Sequence, residues 1–260
     1  MRVFRSLVLA GAVVAAALGG ASSGAGALQA KTNVTIGGIA TPPILAFTTT
    51  PQTLGLTVDV RFSTDVPDAD PETVKQATVF FSHGPRVNGA LFPSCDAKKL
   101  KQRRGDPRAC PKGSRIGTGV AIGTSPQFHG VDEKLNVELY NGSHGHSIIF
   151  FLHGEHPVAI SGLIDASFQA IHSHRWAYKL TLKVPKGLQQ ISRGIYASLL
   201  RFTTKVGASV LVHEGGRTVR RGYIEVLACP PGALVPVSSK FDFLNGSSAS
   251  ANGYISCGRR

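Results

Sequence analysis

The stretch that decides the fold is TLGLTVDVRF, residues 53–62. It places Leu54, Leu56, Val58, Val60 and Phe62 on one face and Thr53, Thr57, Asp59 and Arg61 on the other. A period of two is the mark of a strand with one buried and one wetted face. The same alternation returns at Leu135, Val137 and Leu139, and again over Trp176, Tyr178, Leu180, Leu182 and Val184. Further strands are predicted over 74–82, 114–124, 147–153, 157–168, 195–206, 218–228, 238–244 and 252–257. Between them lie Ser82-His83-Gly84-Pro85, Asn141-Gly142, Lys186-Gly187 and Asn245-Gly246, residues that break strands and permit positive φ in turns. One short helix is expected, from about Ala97 to Arg104. Many short strands without a sustained 3.6-residue period predict an all-β fold, an antiparallel β-sandwich. The segment before residue 126 supplies too few strands to bury two sheet faces unaided. A single domain over 28–260 is therefore expected in preference to two domains meeting near 126.

Working outward, 42% hydrophobic and 17% charged residues exclude a disordered chain, a collagen-like chain and a polytopic membrane protein. Lys and Arg number 28 against 15 Asp and Glu, a net charge of +13 and a pI near 10.0. Such a balance favours anionic surroundings. At the N-terminus, Arg2 and Arg5 precede an apolar run from Leu7 to Leu18 and then the small triplet Ala25-Gly26-Ala27. This is the layout of a signal peptide over residues 1–27, cut after Ala27, because the run is well short of the ~20 residues a spanning helix needs. The expected product is secreted, extracellular or associated with the cell wall, and monomeric.

The four cysteines, Cys95, Cys110, Cys229 and Cys257, would then meet an oxidising compartment. Pairing sequence neighbours closes loops of 16 and 29 residues, each contributing about 3 to 4 kcal/mol on the chain-entropy model. This pairing is preferred to crossed bridges. A zinc site normally shows two C-x2-C knuckles, which these spacings lack.

The segment LFPSCDAKKLKQRRGDPRACPKGSRIGTGVA, residues 91–121, resembles a signature of a family of uncharacterised exported proteins of high-GC actinobacteria. In that signature a Pro-x-Cys turn, a variable loop and a CP-x-x-S-x-I-G-x-G strand follow one another. LYNG at 139–142, and the closing CPPG through ISC at 229–257, are similar to the rest of the family's layout. The resemblance implies secretion, a β-rich fold and paired cysteines, and it carries no catalytic residue.

Chemistry is concentrated in one loop. Lys98, Lys99, Lys101, Arg103, Arg104, Arg108, Lys112 and Arg115 put eight basic residues in 18, opposed only by Asp106. With the loop pinned by Cys95 and Cys110, they form a fixed patch that draws polyanions by steering and counterion release. Arg175, Lys179 and Lys183, with Arg220 and Arg221, add further positive charge. The expected partner is an anionic cell-envelope polymer or an acidic membrane surface rather than nucleic acid, since no recognition helix or stacking motif is present. Six histidines cluster mid-chain: His144, His146, His153, His156, His172 and His174. His144 and His146 are candidate metal ligands, though the turn around Gly145 lacks a positioned carboxylate. Asp65, Asp68, Asp70 and Glu72 offer oxygens suited to calcium, with Asp68 and Asp70 the candidates, but without the Gly and distal Glu of an EF-hand loop. No nucleophile elbow, P-loop or S-x-x-K motif is present, and no cofactor is expected. The reading is a non-catalytic surface or secreted protein that contacts anionic polymers through the basic loop. The alternative is a secreted hydrolase or metal-dependent protein acting on extracellular carbohydrate.

Overall fold

The computed structural model describes residues 30–43, 50–126, 131–230 and 232–257. The signal peptide expected over 1–27 and its expected cleavage after Ala27 lie outside these residues. In chain order the strands are β1 (Thr32–Thr41), β2 (Gln52–Thr64), β3 (Val74–Ser82), β4 (Arg86–Val87), β5 (Arg115–Thr124), β6 (Glu133–Asn141), β7 (Ser147–Gly154), β8 (Ile160–Ala170) and β9 (Trp176–Lys183). They continue as β10 (Gln190–Ser192), β11 (Ile195–Tyr196), β12 (Ser198–Val206), β13 (Ser209–Glu214), β14 (Arg217–Gly222), β15 (Ile224–Val226), β16 (Leu234–Phe243) and β17 (Ser248–Ser256). Two short helices, α1 (Ala97–Gln102) and α2 (Lys186–Gln189), interrupt them.

The all-β class holds, but the sandwich does not. Eleven strands pair in the order β1-β17-β16-β3-β9-β8-β7-β6-β5-β12-β2, and β2 pairs back onto β1 through ten registered residues from Thr32↔Thr64 to Thr41↔Gly55. The sheet is a closed barrel. All of its pairs are antiparallel except β1 with β17, where Gly38 faces Ile255. Alternation reports that one face is buried, and a barrel and a sandwich share that property. The strand that separates the two architectures is β1, TNVTIGGIAT, in which Gly37-Gly38 spoils the alternation, so periodicity predicts no strand there. Strands β5 and β6, on either side of residue 126, are barrel neighbours.

Closure needs sharp curvature, and β5 supplies it. Gly117, Gly119, Ala121 and Gly123 share one face of this strand. A Cβ on Gly117 would run into the Lys205 carbonyl, and one on Gly119 into that of Thr203, both on the adjacent β12. Without those side chains β5 and β12 approach and bend, as glycine faces allow at barrel corners. Phe202, in register with Ala121, covers the small-residue face.

Inward residues make one continuous apolar core, including Val60, Phe62, Val137, Leu139, Phe150 and Phe241. The outer face carries Arg61, Lys134, Lys183 and Lys240, a polarity opposite to that of a membrane-spanning barrel. No helix among the described residues is long and apolar enough to cross a membrane. Trp176, expected in the apolar row of β9, instead lies 6.0 Å from Phe80 with the Arg175 guanidinium 4.8 Å over its ring. One barrel end is covered by β15, β4 and the edge-on pair Phe92–Tyr223, 5.1 Å apart. The other is covered by α2 and the β10–β11 hairpin. Two apolar cavities of about 110 Å³ each remain inside, one toward each end. Disulfides join Cys95 to Cys110 and Cys229 to Cys257, the neighbour pairing that loop length favours.

Candidate functional site: the disulfide-held basic loop

The Cys95–Cys110 loop is folded onto the outside of β6 and β7 rather than left to swing. Asp96 caps α1, its carboxylate accepting from the Lys98 N–H at 2.8 Å and the Lys99 N–H at 3.3 Å, the usual way to satisfy orphan donors at a helix start. Leu100, fully buried, packs with Tyr140, Ile149 and Phe151 in a small apolar cluster separate from the barrel core. Gly105, at φ +82°, lies against Phe151 so closely that a Cβ would overlap the ring. Asp106 then caps the turn Pro107–Ala109, accepting from the Arg108 N–H at 2.9 Å. Disulfide, apolar anchor and two caps thus fix the backbone that carries the charges.

The base of the loop is fastened by Asn141 of the LYNG stretch, which is fully buried. Its Nδ2 donates toward the carbonyls of Gly89, Phe92 and Pro93 at 3.0, 3.1 and 3.2 Å, and its Oδ1 accepts from the Tyr223 hydroxyl at 3.3 Å. Its own carbonyl accepts from the Cys95 N–H at 2.8 Å. Ser114, fully buried just before β5, donates its hydroxyl to the Pro111 carbonyl at 2.7 Å. The quoted signature residues therefore do structural work here. Burial pushes the Tyr223 phenol well above its ordinary pKa. Burial and the 2.6 Å bond to Glu138 do the same for Tyr140.

All eight basic side chains of the loop are exposed. Two have partners: Arg108 pairs with Asp106 at 3.0 Å and Arg115 with Glu138 at 3.0 Å. The bonds from Arg108 hold the Asp106 carboxyl below its usual range. Lys98, Lys99, Lys101, Arg103, Arg104 and Lys112 form no ion pair among the described residues. Lys99, Arg103 and Arg108 border an open concavity of about 670 Å³. Of the outlying basic residues, Arg221 is committed to Glu214 at 3.4 Å and Glu225 at 3.6 Å, and Arg220 donates to Ser209 at 3.0 Å.

The proposed metal ligands do not converge: no group of three or more His, Cys, Asp or Glu capable of holding an ion occurs among the described residues. Asp68 and Asp70 are exposed, and Asp65 is taken by the Lys31 N–H at 2.7 Å. Partial burial and the charge of Asp132 raise the Asp70 pKa. His153 is stacked on Phe151 at 5.5 Å. His144, at φ +47°, does enter a groove of about 430 Å³ with Asp96, Asp165, Ser94, Ser143 and Ser147. Its ring makes no hydrogen bond to any of them among the described residues, and only its backbone N–H bonds Ser94, at 3.0 Å. No nucleophile–base pair is assembled there.

Sequence reasoning took Asn141 for a turn residue, whereas it ends β6 and is buried, and passed over Glu133. The signal for Glu133 was its place in the apolar phase of Leu135, Val137 and Leu139, where a carboxylate is out of character. Comparison with protein-family models, curated proteins and solved structures found no match to this chain.

Proposed function

We propose that the protein is a non-catalytic β-barrel acting outside the cytoplasm, secreted or at the cell surface, that contacts anionic envelope polymers through the basic loop from Lys98 to Arg115. The observation that carries this reading is that six exposed cations with no ion pair among the described residues stand within, or in Lys112's case two residues past, a segment fixed by a disulfide and by buried Leu100. A preorganised cationic surface loses little conformational entropy on meeting a polyanion and gains from counterion release. The two disulfides fit an oxidising compartment, and the quoted signature supports membership of the exported actinobacterial family. A phosphate-bearing wall polymer meets such a surface better than a neutral glycan does.

The test replaces Lys98, Lys99, Lys101, Arg103 and Arg104 together by Gln and measures retention on purified anionic wall polymer at low salt. Loss of most of the retention, with an unchanged thermal midpoint, is expected. Equal retention of parent and variant overturns the reading. A hydrolase or metal-dependent carbohydrate binder would instead centre on the groove that gathers His144, Asp96 and Asp165, and would respond to chelator or to His144→Ala more than to the fivefold change.

A further inference from the structure

The barrel end beneath α2 holds a carboxyl group in a hydrocarbon setting. Glu133 opens β6 in the inward phase and is only 2% exposed. Its Oε2 accepts from the Val158 N–H at 3.1 Å, while its Oε1 has no hydrogen-bond partner among the described residues. Oε1 occupies the space that a side chain on inward-facing Gly154 of β7 would fill. Beside it lies the cavity of about 110 Å³ bounded by Leu135, Leu152, Ile164, Leu199 and Phe202. A buried oxygen without a donor is costly, and native structures rarely leave one so. An apolar cavity of ~150 Å³ takes benzene-sized guests.

We propose that this cavity is a binding site for a short-chain aliphatic alcohol, its hydroxyl donating to Glu133 Oε1 and its hydrocarbon body lying against Leu135, Leu152 and Phe202. One unmet acceptor calls for one donor. A hydroxyl supplies one, whereas an ammonium would bring three N–H groups into a wall with few polar atoms. The volume sets a guest smaller than benzene, on the order of two or three carbons and a hydroxyl by comparison with that ~150 Å³ case. The way in is past α2. This single helical turn inserts Leu188 against Gly162 and is held by the Gln189 side chain donating to the Val184 carbonyl at 2.8 Å. Thr73 borders both the cavity and a depression of about 560 Å³ on the outer side of that turn.

The test titrates 1-propanol and its near-isostere 1-chloropropane into the folded protein and follows the backbone amide resonances of Gly154 and Val158. Propanol should bind at least tenfold more tightly than the chloride, and Glu133→Leu should remove that preference while leaving the barrel's resonances dispersed. The wild-type comparison stands even if the variant does not fold. Equal affinity for the two probes overturns the role of Glu133. Unshifted Gly154 and Val158 amides, as a bound water alone on Oε1 would give, overturn the site.

Discussion

Replacing Asn141 by Ala tests how the basic loop is anchored to the barrel. The side chain is fully buried, and its two amide hydrogens serve three carbonyls while its oxygen receives the Tyr223 hydroxyl. Alanine leaves those carbonyls and that hydroxyl without partners in a dry setting. Each buried hydrogen bond contributes about 1 kcal/mol net, and each group left unsatisfied costs about 1–3 kcal/mol, so a loss of roughly 3–4 kcal/mol follows if solvent only partly compensates. For a domain of this size that lowers the melting temperature by roughly 6–16 °C. Asn141→Asp should be worse than Ala, because a carboxylate would face three carbonyl oxygens. Guanidinium unfolding with both disulfides intact gives the free energies, and an unchanged m-value would show that only the native state has been altered. A loss below about 1 kcal/mol, or an aspartate variant as stable as the parent, would refute the hydrogen-bond assignment.

Leu100→Ala should cost about 2–4 kcal/mol if the small cluster unfolds with the barrel, and should speed amide exchange across 97–109; unchanged exchange there would show that the disulfide alone holds the loop. Gly119→Val should prevent barrel closure, since its Cβ would meet the Thr203 carbonyl, and a soluble variant with the parent's melting temperature would contradict the tight β5–β12 approach. Asp59 is opposed by burial but held by bonds from Arg201, Thr203 and Arg61, and its pKa is lowered from 3.8 to about 2. Because the folded value lies below the unfolded one, the stabilisation is present above pH 3.8 and is lost as pH falls toward 2. With 23% of the side chain exposed, screening limits it to about 1 kcal/mol; acid titration of Asp59→Asn should show a shallower fall in stability between pH 4 and pH 2, and an identical fall would contradict the pairing.

Strand positions were legible wherever alternation was clean. The expectation over 74–82 coincides with β3, and that over 114–124 with β5 to within a residue. The predicted helix from Ala97 to Arg104 ends two residues early, because Arg104 takes positive φ. What failed was closure. Gly37-Gly38 hid β1, and β13, with Val210, Leu211 and Val212 apolar in a row, showed no alternation. A local period also carries no information about whether a sheet's last strand meets its first, although the even spacing of Gly117, Gly119 and Gly123 was a corner signal in plain view. The basic loop was legible because charge density is a property of composition. Its pinning by Cys95 and Cys110 was legible too, but its packing onto the barrel was not, since Leu100, Asn141 and Phe151 act through contacts between distant segments. The carboxylates and histidines of the loops look like ligands in sequence, yet among the described residues no three of them come together to hold an ion.

The most direct test of the basic loop is the salt dependence of its affinity for a defined, labelled polyphosphate, read by fluorescence anisotropy from 25 to 400 mM salt. If most of the six unpaired cations engage phosphates, log K should fall linearly with log salt at a slope of about −4 to −5, by analogy with the ~0.9 per contact of duplex DNA. The fivefold Gln variant should flatten the slope to about −1 on the same scale. A parent affinity that does not change with salt, or a variant that keeps the parent's slope, would contradict the assignment of polymer binding to this loop.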